Sequence, residues 1–294
     1  MLKKIMLVLC ITIMPAAAFA GGDSSPCATR YPIVLAHGMG TQSEILRIID
    51  YWWNIPDALR DEGADVYISN VNGMDSTANK GVQFKANLLY FLAASGASKA
   101  NIIGHSHGTI YTRYAITNLG LSSKVASHTS IGGPHRGSAV ADLIMGAIPD
   151  VFEPFVGGTL DLVYTFLFGD KNGDAAQNGR DLVRSNMINV FNPNTPNVSG
   201  IYYQSWASRI KNILAGELLA ATWLVMLPLE GDNDGLVSIN SAKWGNFRGT
   251  LSGAWWCAGV NHLHQVDQFL GYTPGFSAPD FYVDVVSELQ DKGY

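Results

Sequence analysis

The pentapeptide Gly104-His105-Ser106-His107-Gly108 constrains the fold of this chain more than any other segment. It follows an apolar run at 101–104, which predicts a buried strand, and it precedes helical spacing over residues 107–119. A sharp strand-to-helix turn of this kind lifts a serine hydroxyl out of a sheet, and the two glycines remove side chains that would clash there. The helix also points its free N–H groups toward the hydroxyl. The segment predicts a nucleophilic Ser106, against the alternative of an inert surface turn.

Apolar runs and helical stretches alternate over residues 31–131. The pattern predicts strands and helices in turn, with strands at 31–36, 64–69, 101–104 and 124–131 and helices at 51–62, 81–94 and 107–119. Such alternation implies a mainly parallel sheet that is covered by helices on both faces. Because 294 residues are enough for one large domain with a buried core, we predict a single α/β domain.

Residues 138–199 break this alternation, because they contain apolar segments but no clear strand. We predict that residues 139–199 form a helical cap over the sheet. A returning strand at 200–206, a helix beside the pocket within 213–229 and a closing helix at 279–291 are expected to follow.

A serine hydroxyl is a weak nucleophile, so Ser106 needs a general base. In the α/β-hydrolase arrangement the chain order is serine, acid and histidine, and the base lies near the C-terminus. Only His262 and His264 satisfy that order. The loop Gly231-Asp232-Asn233-Asp234-Gly235 lies between Ser106 and His262 and offers two carboxylates, although the same residues would also form a plain turn. The residue types alone therefore leave two alternatives for the acid and two for the base.

Attack of a serine on an ester creates an oxyanion that needs two hydrogen-bond donors. We expect one donor to be the backbone N–H of His107, which follows the nucleophile. The other should come from the loop after the first strand, His37-Gly38-Met39. We expect the side chains of His37 and His107 to have structural or pocket roles.

Together these segments resemble the secreted bacterial true lipases of the Pseudomonas–Burkholderia type, the family I triacylglycerol lipases of the α/β-hydrolase superfamily. The similarity is weak across 140–200 and rests on the segments at 31–39, 50–60, 101–108, 133–138, 233–238 and 261–263. It implies the α/β-hydrolase fold, which is a mainly parallel sheet flanked by helices with a helical lid insertion.

The same resemblance implies roles for individual residues. It implies a triad and two backbone oxyanion donors, namely Ser106, Asp234 and His262 with the N–H groups of Met39 and His107. The family's lid helix would fall within residues 139–168. The implied activity is hydrolysis of triacylglycerol esters through an acyl-enzyme, on a lipid substrate at an oil–water interface.

The sequence departs from the family pattern in three places, which concern the calcium site, a disulfide and the support of the oxyanion loop. Family members bind a structural calcium near the catalytic histidine, but Ala215 and His264 stand where the family has its two aspartate ligands. Calcium prefers carboxylate oxygen, so we expect no metal cofactor. A cysteine of the family disulfide is replaced by Ile239, and an arginine that props the oxyanion loop is replaced by Lys80, which lacks the forked donor set of arginine. These losses leave open whether a dedicated membrane foldase is needed, as it is for related lipases.

Two other functions stay open at the level of sequence. An esterase that acts on soluble short-chain esters, without activation at an interface, would use the same triad. A non-catalytic protein of hydrolase-like fold would only bind lipid. Nucleic acid is not an expected partner, because a polyanion repels a chain whose net charge is −5 and whose charged fraction is only 15%.

Residues 1–20 have the pattern of a secretory signal peptide, with Lys3 and Lys4, an apolar run and the small-residue site Ala18-Phe19-Ala20. We therefore expect secretion, with residues 21–294 as a single α/β-hydrolase domain. Two cysteines remain after cleavage, Cys27 and Cys257. In an oxidising compartment they would either pair or stay as buried thiols, and the sequence leaves both alternatives open.

Overall fold

The computed structural model describes residues 25–39, 50–147, 174–268 and 273–294. The predicted signal peptide at 1–20 lies outside these ranges, as do residues 148–168 of the predicted lid. Within the described ranges, no helix is long and apolar enough to cross a membrane.

Six strands of the described chain form one sheet in the order β2-β1-β3-β4-β5-β6. The strands are β1 Ile33–Ala36, β2 Val66–Ser69, β3 Ala100–His105, β4 Val125–Ile131, β5 Tyr202–Ser208 and β6 Asn246–Leu251. All neighbouring strands run parallel, which confirms the predicted sheet. The loops that follow the strands therefore meet at one edge of the sheet, the edge at which α/β proteins bind ligands.

Helices of the described chain connect and cover these strands. They are α1 Ile55–Asp61, α2 Thr77–Ser95, α3 Gly108–Asn118, α4 Ala139–Ile144, α5 Ala175–Asp181, α6 Ala220–Glu230, α7 Ile239–Ala242 and α8 Ala278–Asp291. Side-chain caps explain where five of them begin; for example, Ser76 accepts a hydrogen bond from the Asn79 amide and Ser277 accepts one from the Asp280 amide. Helix α2 ends at Ser95, and the capping residue Gly96 has a φ of 70°, which suits glycine.

Alternate residues of β1 point to opposite faces of the sheet and build a core on each. Ile33 packs with Leu59 of α1 and Val286 of α8 on one face. Val34 packs with Phe84 of α2 on the other face, which α3 also covers. Each of these side chains is fully buried, and burial of one such side chain stabilises a fold by about 1.5–3 kcal/mol. This sheet with helices on both faces is the framework that positions the loops at its carboxyl edge.

Two regions differ from the sequence-based expectation. The pattern does not predict β6, because this edge strand has no fully buried residue and hence no clear apolar run. The predicted helix at 213–229 begins instead as 3-10 turns at Ile213–Ala215 and Glu217–Leu219, and the α-helix starts only at Ala220. Where the predicted cap at 139–199 is described, it contains α4, α5 and a helical segment at 184–194 with a π-helical turn.

Cys27 and Cys257 do not pair with each other. Cys27 is buried in the core between α1 and α8, and its thiol contacts the Val283 carbonyl. Cys257 is buried in the turn after β6, where its sulfur accepts a hydrogen bond from the Gly259 amide. Burial raises the pKa of the Cys27 thiol to about 11, so this thiol stays protonated at neutral pH.

Candidate active site

Ser106 occupies the turn between β3 and α3. Its φ of 55° lies in the left-handed region, which few residues other than glycine adopt without strain. A Cβ on Gly104 would lie 2.8 Å from the Thr109 amide nitrogen. A Cβ on Gly108 would overlap the Ala36 carbonyl oxygen. Both flanking positions therefore require glycine, because a side chain would separate the turn from the backbone it packs against.

Hydrogen bonds fix this strained turn to its neighbours. The Ser106 amide donates to the Ile131 carbonyl at the end of β4, at 3.0 Å. The Ser106 carbonyl accepts from the Thr109 amide at 3.1 Å and from the Thr109 hydroxyl at 2.8 Å. The hydroxyl of Ser106 is left out of this network and faces a cleft.

Asp234 and His262 form a buried pair. Nδ1 of His262 lies 2.8 Å from Oδ2 of Asp234, and the two side chains are 3% and 1% exposed. The His262 amide also donates to the Asp234 carbonyl at 2.9 Å, so the two loops are joined through backbone and side chain. This geometry makes Nδ1 the protonated nitrogen and leaves Nε2 as a base.

The carboxylate of Asp234 accepts three further hydrogen bonds. Its Oδ1 accepts from the amides of Leu236 and Val237 at 3.0 and 2.7 Å. Its Oδ2 accepts from the Gln265 side chain at 2.6 Å. Together these donors hold the carboxylate in one orientation toward His262. Gln265 is not predicted from the sequence, where its position three residues after His262 is the only signal that could suggest it.

The structure brings His262 beside the nucleophile turn but does not join it to Ser106 by a hydrogen bond. The ring of His262 lies 4.6 Å, centroid to centroid, from the ring of His105, the residue before Ser106. Nε2 of His262 is buried and has no hydrogen-bond partner among the described residues. Catalytic hydrogen bonds are often long without substrate and tighten when it binds, so this nitrogen is free to accept the serine proton.

The two alternative residues lie elsewhere. Asp232 is half exposed and pairs with Arg209 at 2.9 Å. His264 is buried and faces Glu217 at 3.3 Å. Among the described residues, neither side chain is hydrogen-bonded to Asp234 or His262, so the geometry favours the pair Asp234 and His262.

The backbone on the other side of Ser106 provides the candidate oxyanion donors. The Gly38 amide donates to the Tyr51 hydroxyl at 2.8 Å and is therefore engaged. The amides of Met39 and His107 donate to no acceptor in the described part of the chain. Met39 and Ser106 line the same cleft. These two N–H groups remain the donors that the geometry leaves available.

The side chain of His107 is fully engaged in the interior. Its Nδ1 accepts from the Lys80 ammonium at 2.9 Å, and its Nε2 lies 2.8 Å from the Thr77 hydroxyl. Lys80 also donates to the Gly73 carbonyl at 2.7 Å. Burial lowers the pKa of Lys80 to about 7, against smaller opposing effects of two aspartates. Among the described residues, Lys80 therefore supports the His107 side of the site and makes no hydrogen bond to the oxyanion loop.

Tyr51 connects the oxyanion loop to the nucleophile strand, a role that the sequence did not suggest. Its hydroxyl accepts from the Gly38 amide and lies 2.6 Å from Nδ1 of His105. Burial, with a smaller effect of the nearby His262, lowers the pKa of His105 well below its usual value. A neutral ring therefore packs against His262, so a protonated His262 does not meet a second positive charge.

His37 also has a structural environment, in line with its expected role. Its Nδ1 lies 2.8 Å from the Gly38 carbonyl and its Nε2 accepts from the Val71 amide at 3.2 Å. Burial lowers the pKa of His37 to about 4, so the ring is neutral at pH 7. With both nitrogens engaged, His37 is not available as a general base.

An apolar cleft opens on Ser106. Its volume of about 440 Å³ includes solvent at its open mouth. Its lining is aliphatic apart from hydroxyls such as those of Ser106 and Ser138, and it includes Met39, Val140, Ile144, Leu182 and Val237. Such a lining suits a hydrocarbon chain, and the described residues that line the cleft carry no charge.

The residues at the expected calcium position do not fit that ion. His264 faces Glu217, and the Asn261 side chain donates to the Ala215 carbonyl at 2.9 Å. In the described ranges, no group of three or more His, Cys, Asp or Glu residues could bind a metal ion. An imidazole and a single carboxylate are a poor donor set for calcium, which takes six to eight oxygens. Direct contacts of Asn261 and His264 connect this loop to the 213–217 segment.

We therefore expect chelation to leave the enzyme unchanged. Because protein groups make the contacts that a calcium would bridge, a chelator such as EDTA should alter neither the rate of ester hydrolysis nor the melting temperature. Both are measured before and after chelation, with calcium-saturated EDTA as the matched control. A loss of activity that added calcium restores would contradict this expectation.

The chain has clear relatives among known proteins. The family model described as alpha/beta hydrolase fold matches residues 31–244. A triacylglycerol lipase of Vibrio cholerae is 34% identical over 299 residues, which is 92% of this chain and 92% of the relative. A triacylglycerol lipase of Burkholderia plantarii is 38% identical over 151 residues, which is 47% of this chain and 42% of the relative.

Solved structures share the architecture at lower sequence identity. The mature lipase BlEst2 of Bacillus licheniformis superposes with a TM-score of 0.65 at 19% identity, over 88% of this chain and 92% of that one. EstA of Clostridium botulinum superposes with a TM-score of 0.60 at 16% identity, over 90% and 88% of the two chains. These similarities concern the fold of the sheet and its helices.

Proposed function

The chain belongs to the α/β-hydrolase family and is an ester hydrolase, and we propose that it is a lipase that hydrolyses triacylglycerols. The proposal rests on one observation above all: the buried pair of Asp234 and His262 lies beside a strained serine turn that opens on an aliphatic cleft. The described lining of that cleft offers no charged side chain to a charged substrate. A fatty acyl chain would exchange water for aliphatic contacts there.

We propose that the reaction begins with proton transfer from Ser106 to Nε2 of His262 as the serine oxygen attacks the ester carbonyl. Asp234 accepts the Nδ1–H of His262, sets the tautomer and stabilises the imidazolium that forms. The ester carbonyl becomes a tetrahedral oxyanion. His262 then protonates the leaving alcohol, and an acyl-enzyme remains on Ser106.

Deacylation repeats the same chemistry with water as the nucleophile. His262 takes a proton from water, the hydroxide attacks the acyl-enzyme, and the fatty acid leaves as Ser106 recovers its proton. In both steps the N–H groups of Met39 and His107 stabilise the oxyanion. Because these amides are backbone groups, their effect does not depend on the side chain at either position.

Two rival functions predict different behaviour. A soluble-ester esterase needs the same triad but no response to lipid droplets. A non-catalytic lipid-binding protein would leave Ser106 unreactive. The engaged carboxylate of Asp234 favours a catalytic role, because four hydrogen bonds to one buried carboxylate hold the partner of His262 in a single position.

A rate measurement across the solubility limit of an ester separates these functions. We expect the rate on tributyrin to rise sharply once droplets form, because the substrate then becomes available at an interface. Simple saturation below the limit, with no rise at droplet formation, would indicate an esterase. Absence of labelling by a fluorophosphonate, which reacts with activated serines, would indicate the non-catalytic alternative.

We further propose that the protein is secreted after cleavage of residues 1–20, and that residues 139–199 act as the lid or cap of the site. The N-terminal sequence pattern and the helices on either side of the cleft support these proposals. Mass spectrometry of exported protein should find Gly21 as its first residue.

No metal cofactor is proposed, and the substrate is a lipid ester at an oil–water interface. Coexpression with and without a lipase-specific foldase would test whether one is needed.

A further inference from the structure

Two turns lie side by side at the carboxyl edge of the sheet. One follows β5 and contains Ile213–Ala215, and the other follows β6 and occupies residues 252–258. Ile210 and Gly259 form an antiparallel bridge between them. The Lys211 amide donates to the Ala258 carbonyl at 2.8 Å. The two turns therefore form one continuous piece of surface.

Four large apolar side chains project from these turns into solvent. These side chains are Ile213, Leu214, Trp255 and Trp256, and together they are called the tryptophan surface. Their exposed fractions are 55%, 79%, 91% and 59%, in that order. Single exposed apolar residues are ordinary, but adjacent ones mark a contact surface. An indole combines a large apolar body with an N–H donor, which is why tryptophan is enriched where lipid meets water.

The tryptophan surface is free of charge in both turns. No charged residue occurs from Gly249 to Asn261, or from Asn212 to Gly216. The nearest cation along the chain, Lys211, donates its ammonium hydrogen to the Ala254 carbonyl at 2.7 Å. Lys211 and Glu217 border the first turn, so only an insertion limited to the four apolar side chains, which leaves these two charges in water, desolvates no ion.

The surface shares an edge of the molecule with the catalytic residues. In a parallel sheet, the loop after β3, which contains Ser106, and the loops after β5 and β6 lie at the same edge. His262 follows Trp256 by a short stretch of chain, and Asn261 is joined to the Ile213–Ala215 turn through the Ala215 carbonyl. A flat lipid phase that contacts the tryptophan surface would lie along the edge where the substrate enters.

We propose that the tryptophan surface docks the enzyme on a lipid–water boundary, with Trp255 and Trp256 inserted at the level of the head groups. This inference rests on the proposed lipase function, because only a water-insoluble substrate requires such a surface beside the site. Lipid is the occupant that the observations favour, since the surface pairs amphipathic rings with an absence of charge and shares an edge with the acyl cleft.

The test measures binding and catalysis separately. Binding uses the Ser106→Ala protein, so that no lipid is consumed, in flotation with phosphatidylcholine vesicles and with a triolein emulsion. Trp255→Ser/Trp256→Ser is compared with Tyr90→Ser, which removes another exposed aromatic ring from α2, a helix that packs against β2 at the far end of the sheet. Leu214→Ser on the neighbouring turn is a second variant if the double variant does not fold.

We expect the double variant to lose roughly tenfold or more of its lipid affinity, because interfacial binding scales with the apolar area inserted. With Ser106 intact, its rate on triolein droplets should fall by a similar factor while its rate on a soluble ester stays unchanged. Tyr90→Ser should change neither.

Unchanged flotation of the double variant and of Leu214→Ser would overturn the proposal. The proposal would also be overturned if the double variant changed from a dimer to a monomer while its lipid binding stayed intact, because a second copy of the chain would then be the partner of this surface. Flotation that depends on these residues in an enzyme inactive on triolein would refute the lipase function and leave the docking surface standing.

Discussion

Ser106→Ala is expected to lower the turnover of a soluble ester by ~10³-fold or more while leaving the fold intact. The substitution removes the oxygen that forms the acyl-enzyme. It preserves the backbone contacts of the turn, because the hydrogen bonds at Ser106 involve its amide and carbonyl rather than its hydroxyl. Steady-state rates on a p-nitrophenyl ester and covalent labelling by a fluorophosphonate measure the loss.

Ser123→Ala is the matched control for this experiment. Ser123 is exposed and lies before β4, at the opposite end of the strands from the site. Its substitution should leave both the rate and the labelling unchanged. If Ser106→Ala retains most of the esterase rate at an unchanged melting temperature, another residue is the nucleophile and the proposed mechanism is wrong.

Asp234→Asn is expected to lower kcat by about 10⁴-fold at pH 7, as the same change does in serine protease triads. An amide nitrogen in place of Oδ2 cannot accept the Nδ1–H of His262, so the ring adopts the other tautomer. Nε2 then bears a proton and cannot take one from Ser106. The loss should appear in kcat on soluble and insoluble esters alike, because it affects proton transfer rather than substrate binding.

Asp232→Asn separates this role from a general effect of charge in the loop. Asp232 is half exposed and pairs with Arg209 at the surface, where ion pairs contribute little. We expect its removal to change kcat by no more than about twofold. A melting temperature for each variant detects damage to the loop, since Asp234 also accepts the Leu236 and Val237 amides. Comparable losses in the two variants, or an active Asp234→Asn, would contradict the assignment.

The fold could be predicted because its signals are local. The apolar runs of β1, β3 and β4 and the helical spacing of α2 and α3 are periodic over a few residues, and the confirmed sheet follows from their alternation. The edge strand β6 escaped prediction because a strand exposed on one side and at the rim of a sheet needs no apolar pattern. The 3-10 turns before α6 are not predicted either, because a continuous apolar stretch has no periodicity that distinguishes a 3-10 helix from an α-helix.

The residues of the candidate site also fall into those that the sequence predicts and those that only the folded structure identifies. The serine turn was evident from the glycines, whose need for close backbone approach is a local steric effect. The choice between Asp232 and Asp234 rested on family resemblance, because either residue suits a turn. The folded loop directs Asp234 toward His262 and leaves Asp232 in solvent beside Arg209.

The sequence alone was enough to predict the alternating strands and helices and the serine turn. These features depend on periodicity and steric fit among residues that are close in the sequence. Folding was required to bring Gln265 to the Asp234 carboxylate, Tyr51 to His105 and Lys80 to His107. It was also required to set Trp255 and Trp256 beside Ile213 and Leu214 at the edge that contains Ser106. The three hydrogen-bonded pairs are 27 to 54 positions apart in the chain, and no short-range pattern encodes which distant side chains will meet.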